Sequence, residues 1–292
     1  MGFGSYTASD WAKLKKSRNL SAGQDVKEVF KKTSCDPKYD PRFIGTRECF
    51  DSEDHPHSTP IVVGLDVTGS MGYLAVKIAS EALNDLIMKL YSTGTVEDPA
   101  LMCAAYGDYR DDAPLQVTQF ESDIRIAEQL LELYFENGGQ CQVVPTCLWE
   151  FLSRHTNIDA INKRKEKGFL FTIGDDANIR KSDVGETVKR VIGDDIGKAT
   201  VNSLLDEVQK KFHVFHIMIG SDGNPDILSG NRIVIDKSDI DIIPDIIIGT
   251  IRMQKGEDYD TVISDCDRIK APLLGNALSQ LSLTGTGGTL RL

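Results

Sequence analysis

IVVGLDVTGSMG, residues 61–72, is the stretch that decides the fold. Its first five residues are apolar or glycine and run without a polar interruption up to Asp66, the texture of a strand buried on both faces. Beyond the short polar turn, Ile78, Ala79, Ala82, Leu83, Leu86 and Leu90 recur at helical spacing. A buried strand, a tight turn and an amphipathic helix therefore follow one another.

The same texture recurs along the chain. ALMCAAY (100–106) reads as a second buried strand and runs into GDYRDD, and LQVTQF (115–120) reads as a shorter third one. Ser122 is placed to cap a helix that turns Ala127, Leu130, Leu131 and Tyr134 toward the sheet. After the Gly138-Gly139 turn, a helix carrying Leu148 and Leu152 leads to the strand FLFTI (169–173), which ends in GDD. A helix with Val201, Leu204, Leu205 and Val208 precedes HVFHIMIG (213–220), and NRIVI (231–235) precedes an isoleucine-rich helix near 240–254. Strands alternating with helices predict an α/β fold, a doubly wound and mainly parallel sheet flanked by helices on both faces.

Three segments follow from this pattern. Residues 1–58 form a polar N-terminal extension with two helical pieces, 9–16 and about 23–32, and a Pro- and Asp-rich connector. The α/β domain spans 59–256. Residues 257–292 form a C-terminal segment whose glycine- and threonine-rich close, TGTGGTLRL, is expected to be partly flexible.

Bulk properties exclude several classes of function. Among 292 residues, 33 basic and 44 acidic side chains leave a net charge of -11, which repels a phosphate backbone and argues against nucleic-acid binding. The short basic runs KKSR (15–18) and NKRKEK (162–167) lack interleaved aromatics and read as solvated helix faces. No apolar run approaches the roughly 20 residues of a membrane helix. The N-terminus lacks an apolar signal core, and Tyr6 stands where a myristoylation motif wants Ser or Thr, so cytoplasmic residence is expected. Six cysteines without a CxxC pair read as reduced thiols.

In an open parallel sheet, ligands bind beyond the carboxyl ends of the strands, where loops converge and helix N-termini point inward. Asp66 ends one strand and Asp175 with Asp176 ends another, with Asp108, Asp111 and Asp112 following a third. Acids gathered at one edge repel unless a cation sits among them. Thr68 and Ser70 add hydroxyls on alternate positions after Asp66, and such oxygens suit magnesium, manganese or calcium, not zinc. The plainer explanation of Asp66, Thr68 and Ser70 is a helix cap, but the second acidic loop at FTIGDD favours a metal. Asp176 reads as a solvated neighbour, the GDYRDD acids as a charged loop that could rim the site and select a partner, His55 and His57 as part of a solvated linker at the opposite edge, and Trp11 and Trp149 as packing residues. His213 and His216 fall on opposite faces of one strand and cannot share a ligand.

Asp66-Val67-Thr68-Gly69-Ser70 resembles the DxSxS signature of von Willebrand factor A domains, with Thr in place of the first Ser. The resemblance spans about residues 60–255, and FTIGD is similar to the strand and aspartate that complete that family's metal-ion-dependent adhesion site. It implies that Thr68 and Ser70 touch the cation directly while Asp66 and Asp175 hold its waters. GDYRDDAPLQVTQF and SRHT further resemble stand-alone prokaryotic and phage members. The family's fifth ligand, usually Thr, comes from a loop that here reads ENGGQCQVVPTCLW. Thr146 is its one hydroxyl, and Gln140 or Gln142 could serve instead through a side-chain carbonyl.

Two classes of function are compatible with these residues, and a third is inert. A cation held mostly by neutral hydroxyls keeps its charge and an open position, which implies capture of an Asp or Glu from a protein partner. The alternative is a haloacid dehalogenase-like phosphatase or hydrolase with Asp66 as covalent nucleophile, which needs a lysine aimed at that residue. Lys163, Lys165 and Lys167 sit in a solvated run and do not supply it. A structural subunit with a vestigial metal site is the inert reading.

Overall fold

Nine consecutive residues of extended chain, Ser58–Asp66, are the centre of the architecture because eight of the nine are buried. The computed structural model describes residues 5–282 apart from 22, 137, 140, 141, 177, 178 and 221–227. The TGTGGTLRL tail lies outside the described residues. In chain order the strands are β1 (Arg47–Cys49), β2 (Ser58–Asp66), β3 (Asp98–Tyr106), β4 (Leu115–Val117), β5 (Thr156–Ile158), β6 (Gly168–Gly174), β7 (Phe212–Ile219) and β8 (Arg232–Ile235).

The main sheet has six strands in the order β4-β3-β2-β6-β7-β8. Neighbours run parallel throughout except for β4, which is antiparallel to β3. Counted along the chain this is the doubly wound order 3-2-1-4-5-6, whose winding reverses between β2 and β6. A small parallel pair, β1 with β5, stands apart.

Side chains alternate between two apolar layers, as the period of a strand demands. Ile61, Val63, Leu65, Cys103, Phe171 and Phe215 share one layer with Leu83, Ile87 and Leu90 of the helix Leu83–Thr93 and with Ile247 and Ile251 of the helix Ile243–Gln254. Val62, Met102, Leu170 and Val214 share the other with Leu148 and Leu152 of the helix Pro145–Arg154 and with Val188, Leu204 and Val208. The predicted fold class, a mainly parallel sheet covered by helices on both faces, is the observed one. Trp11 and Trp149 are buried packing residues, as expected.

Several local expectations fail, each for a definable reason. The third strand stops at Val117 instead of running to Phe120. The second N-terminal helix shrinks to Val26–Val29: Asp25 and Glu28 close a capping box, and Phe30 then leaves in extended conformation to stack on Phe135 at 4.0 Å. Ser122 is not a helix cap. Its hydroxyl lies 3.3 Å from His55 Nε2, and the helix starts three residues later as Arg125–Leu130. Past Leu130 the chain is no longer helical, so Leu131, Leu133 and Phe135 are buried in alternation while Tyr134 is only partly covered. Leu205 is likewise only partly buried. His55 is not solvated, since Asp98 and Ser122 enclose its ring, whereas His57 is exposed.

Both flanking segments pack on the domain. Tyr6, Trp11, Leu14 and Phe30 from the N-terminal side, and Val262, Leu274 and Leu278 from the C-terminal side, belong to the same buried layer as Ile61 and Phe171. The Gln280 side chain accepts from Val234 N at 2.9 Å and donates to Val234 O at 3.1 Å, which covers an edge strand that would otherwise offer a template for aggregation.

Gly64 lets the helix Pro145–Arg154 approach β2, since a Cβ there would lie 2.8 Å from Leu148 Cδ2 and 3.4 Å from Thr172 Cγ2. Gly64→Val is expected to destabilise the fold by about 1–3 kcal/mol through overpacking, read as a lower urea midpoint at unchanged slope.

Candidate metal centre

Asp66 closes β2 and Asp175 follows β6, so both carboxylates stand where the winding of the sheet reverses and two adjacent strands send their loops apart. Asp66 is buried, with 2% of its surface exposed. Its Oδ1 accepts from the Thr68 amide at 2.9 Å and from the Thr68 hydroxyl at 2.7 Å. Its Oδ2 is buried with no hydrogen-bond partner. Leaving a buried carboxylate oxygen unsatisfied is costly, and native structures rarely tolerate one without a ligand, water or proton.

The two loops meet directly. Ser70 donates its hydroxyl to Asp175 Oδ1 at 2.9 Å across 105 residues of sequence. Gly174 makes the approach possible: a Cβ on it would lie 2.9 Å from Asp66 Cβ, 3.0 Å from Asp66 Oδ2 and 3.1 Å from the Tyr106 hydroxyl. That hydroxyl donates to the Ile173 carbonyl at 3.1 Å, tying β3 to β6 beneath the site. Tyr106 is a residue the sequence reading passed over. Its place opposite Asp66 in the parallel register is the signal that could have found it.

Gly138 and Gly139 lie against the Thr68 turn. Gly69 N donates to the Gly138 carbonyl at 2.9 Å, and at Gly139, with φ +96, a Cβ would meet Thr68 Cγ2 at 2.6 Å. Asp111 is packed so closely that a Cβ on Gly107 or Gly138 would collide with its carboxylate, and it accepts from the Asp108 amide at 2.9 Å. Asp108 in turn accepts from Gln142 N at 2.8 Å. Asp108 and Asp111, read as part of a charged loop, therefore brace one loop against another.

Thr146 is buried at the second position of the helix Pro145–Arg154. Among the described residues no hydrogen bond joins it to Asp66, Thr68, Ser70 or Asp175. The Gln142 side-chain carbonyl is engaged by Arg180 Nη1 at 3.2 Å, and Gln140 lies outside the described residues. One further residue escaped the sequence reading: Lys237 Nζ stands 3.6 Å from Asp175 Oδ2. No group of three or more His, Cys, Asp or Glu side chains among the described residues forms a cation cage, so a cation at this edge depends on hydroxyls.

Burial, above all, pushes the Asp66 carboxyl up to about 7; Asp175 and Asp176 add to the rise, and the two bonds from Thr68 oppose it. The folded protein thus holds a proton on Asp66 that the unfolded chain, at about 3.9, gives up. Stability from that proton is complete below about pH 4 and drains away as pH climbs to about 7. With chelator present, wild type should lose stability relative to Asp66→Asn across this window, at no more than about 1.4 kcal/mol per pH unit. Urea unfolding of both proteins at pH 4.5 and 7.5 reads it, and a pH-independent difference between them would remove Asp66 as a buried acid.

No protein-family model and no curated protein matches the sequence. Solved structures do resemble the fold at low identity. The pilus adhesin SpaC from Lactobacillus rhamnosus GG in its open conformation is 10% identical over 72% of this chain, at a TM-score of 0.44. A von Willebrand factor type A protein from Catenulispora acidiphila is 16% identical over 69% of this chain and 44% of its own, at 0.37. The vWF domain of the type V pili tip protein Mfa5 from Porphyromonas gingivalis is 11% identical over 70% of this chain and 99% of its own, at 0.41. The chain spans about a third of the SpaC adhesin, 31% of its length. At these scores nothing about function passes from them to this chain.

Proposed function

We propose that this protein is a von Willebrand factor A-like binding module that holds a divalent cation, magnesium or manganese, at the β2–β6 crevice and uses it to capture an Asp or Glu of a protein partner. The observation that carries the reading is the unpartnered, buried Asp66 Oδ2 beside two hydroxyls and a second carboxylate at the switch point of the sheet. The donor set is all oxygen, as a hard cation prefers. By the family resemblance Thr68 and Ser70 contact the cation, Asp66 and Asp175 hold its waters, and Thr146 is the candidate fifth ligand. When bound, the cation supplies a Lewis-acidic position open to an incoming carboxylate. The protein's own contribution is to fix the Thr68 turn through Asp66 Oδ1 and the Ser70 side chain through Asp175.

The hydrolase alternative draws less support. A nucleophile has to reach its substrate, whereas the free oxygen of Asp66 is buried, and the nearby lysine, Lys237, faces Asp175.

Magnesium at about a hundred times its dissociation constant is expected to stabilise the fold by roughly 2.7 kcal/mol, because binding to the native state alone shifts unfolding by mass action. Asp66→Ala should abolish the shift and leave the far-ultraviolet circular dichroism unchanged, since the residue ends its strand. Wild-type melting indifferent to millimolar magnesium, manganese and chelator alike would sink the proposal. With a captured partner, chelator and Asp66→Ala should each release it.

A further inference from the structure

Asp175 is more accessible than Asp66, with 13% of its side-chain surface exposed, and the group that faces it comes from a distant part of the sheet. Lys237 opens the short 3-10 turn Lys237–Ile242 directly after β8, whereas Asp175 follows β6, with β7 between them. Two strand spacings are about 10 Å. The lysine side chain crosses that gap over the end of β7, where the residue is Gly220, with φ +97. Lys237 Cε passes 3.7 Å from the place a Cβ on Gly220 would take, and its ammonium ends 3.6 Å from Asp175 Oδ2. The other oxygen, Oδ1, accepts from Ser70. A positive charge thus already faces the carboxylate that joins the two site loops.

We propose that Lys237 is a tethered counter-ion of this site: it neutralises Asp175 in the cation-free protein and gives it up when a divalent cation enters, so that it sets how tightly the cation binds. This rests on the cation reading above. Two effects act in the same direction. An ammonium near the crevice repels an incoming dication, and its pairing with Asp175 must be broken or weakened as the carboxylate turns to the cation's shell. The same ammonium relieves repulsion between Asp175 and its acidic neighbours when the cation is absent. Because Lys237 is more than half exposed, with 57% of its side-chain surface accessible, the effect is a tuning one.

The test uses the full chain with Lys237→Met, which keeps the aliphatic stem against Gly220, and Lys237→Arg, which keeps the charge. Magnesium affinity is measured by titration calorimetry, and melting temperature is measured in chelator. Lys237→Met is expected to bind magnesium about five-fold more tightly than wild type, the upper end of what an exposed ion pair contributes, and to melt lower in chelator. Lys237→Arg should stay near wild type in both. A Lys237→Met protein with wild-type or weaker magnesium affinity overturns the inference. Wild type and Lys237→Met both silent to magnesium would instead overturn the cation reading, and a lower melting point of Lys237→Met in chelator would then still identify Lys237 as the counter-ion of Asp175.

Discussion

Burying a carboxylate at the end of a fully enclosed strand sets terms that the surrounding structure has to meet. β2 is flanked in parallel by β3 and β6, and covered on both faces by helices, so the side chain that ends it inherits the dryness of the core. An ionised carboxylate in such a place needs partners. Thr68 meets the need of one oxygen with its amide and its hydroxyl, which curls the chain into the turn that precedes the long helix. The second oxygen is buried without a hydrogen-bond partner, and burial raises the carboxyl's pKa to about 7.

Glycines and acids around that carboxylate make sense as consequences. Gly174 brings β6 against Asp66 where any side chain would intrude, and Gly139 itself lies on Thr68. Asp108 and Asp111 do not face the crevice as ligands. They tie the loop after β3 to the loop that carries Gly138 and Gln142, and so hold a lid of backbone over the turn. Much of the acidic character of this edge is thereby spent on loop architecture, leaving Asp66 and Asp175 as the pair with chemistry to offer. Lys237 extends the same logic to a fourth loop, since its charge balances the more exposed member of that pair.

The proposed adhesive role fits the composition of this site better than the hydrolase alternative does. A general base or nucleophile has to be both reachable and free, but Asp66 is buried and Asp175 is shared between a serine hydroxyl and a lysine. Oxygen ligands with few net charges leave a bound dication electrophilic, which is what recognition of a partner carboxylate requires.

The sequence alone determined the fold class and the position of the two acidic strand ends, because short apolar runs such as IVVGL and FLFTI, each alternating with a helical pattern, are what strands covered on both sides require. Period and burial are local properties of a sequence, so β2, β3, β6 and β7 and the helices between them were legible. What only the tertiary structure decided were the contacts between distant segments. The bond from Ser70 to Asp175, the reach of Lys237 past Gly220, the bracing by Asp108 and Asp111, and the capture of Ser122 by His55 all depend on which loops the strand order brings together. A charged or hydroxyl side chain in a loop reads the same on the page whether it faces water, a neighbour or a ligand. Only the packing of the sheet settles which of these it meets.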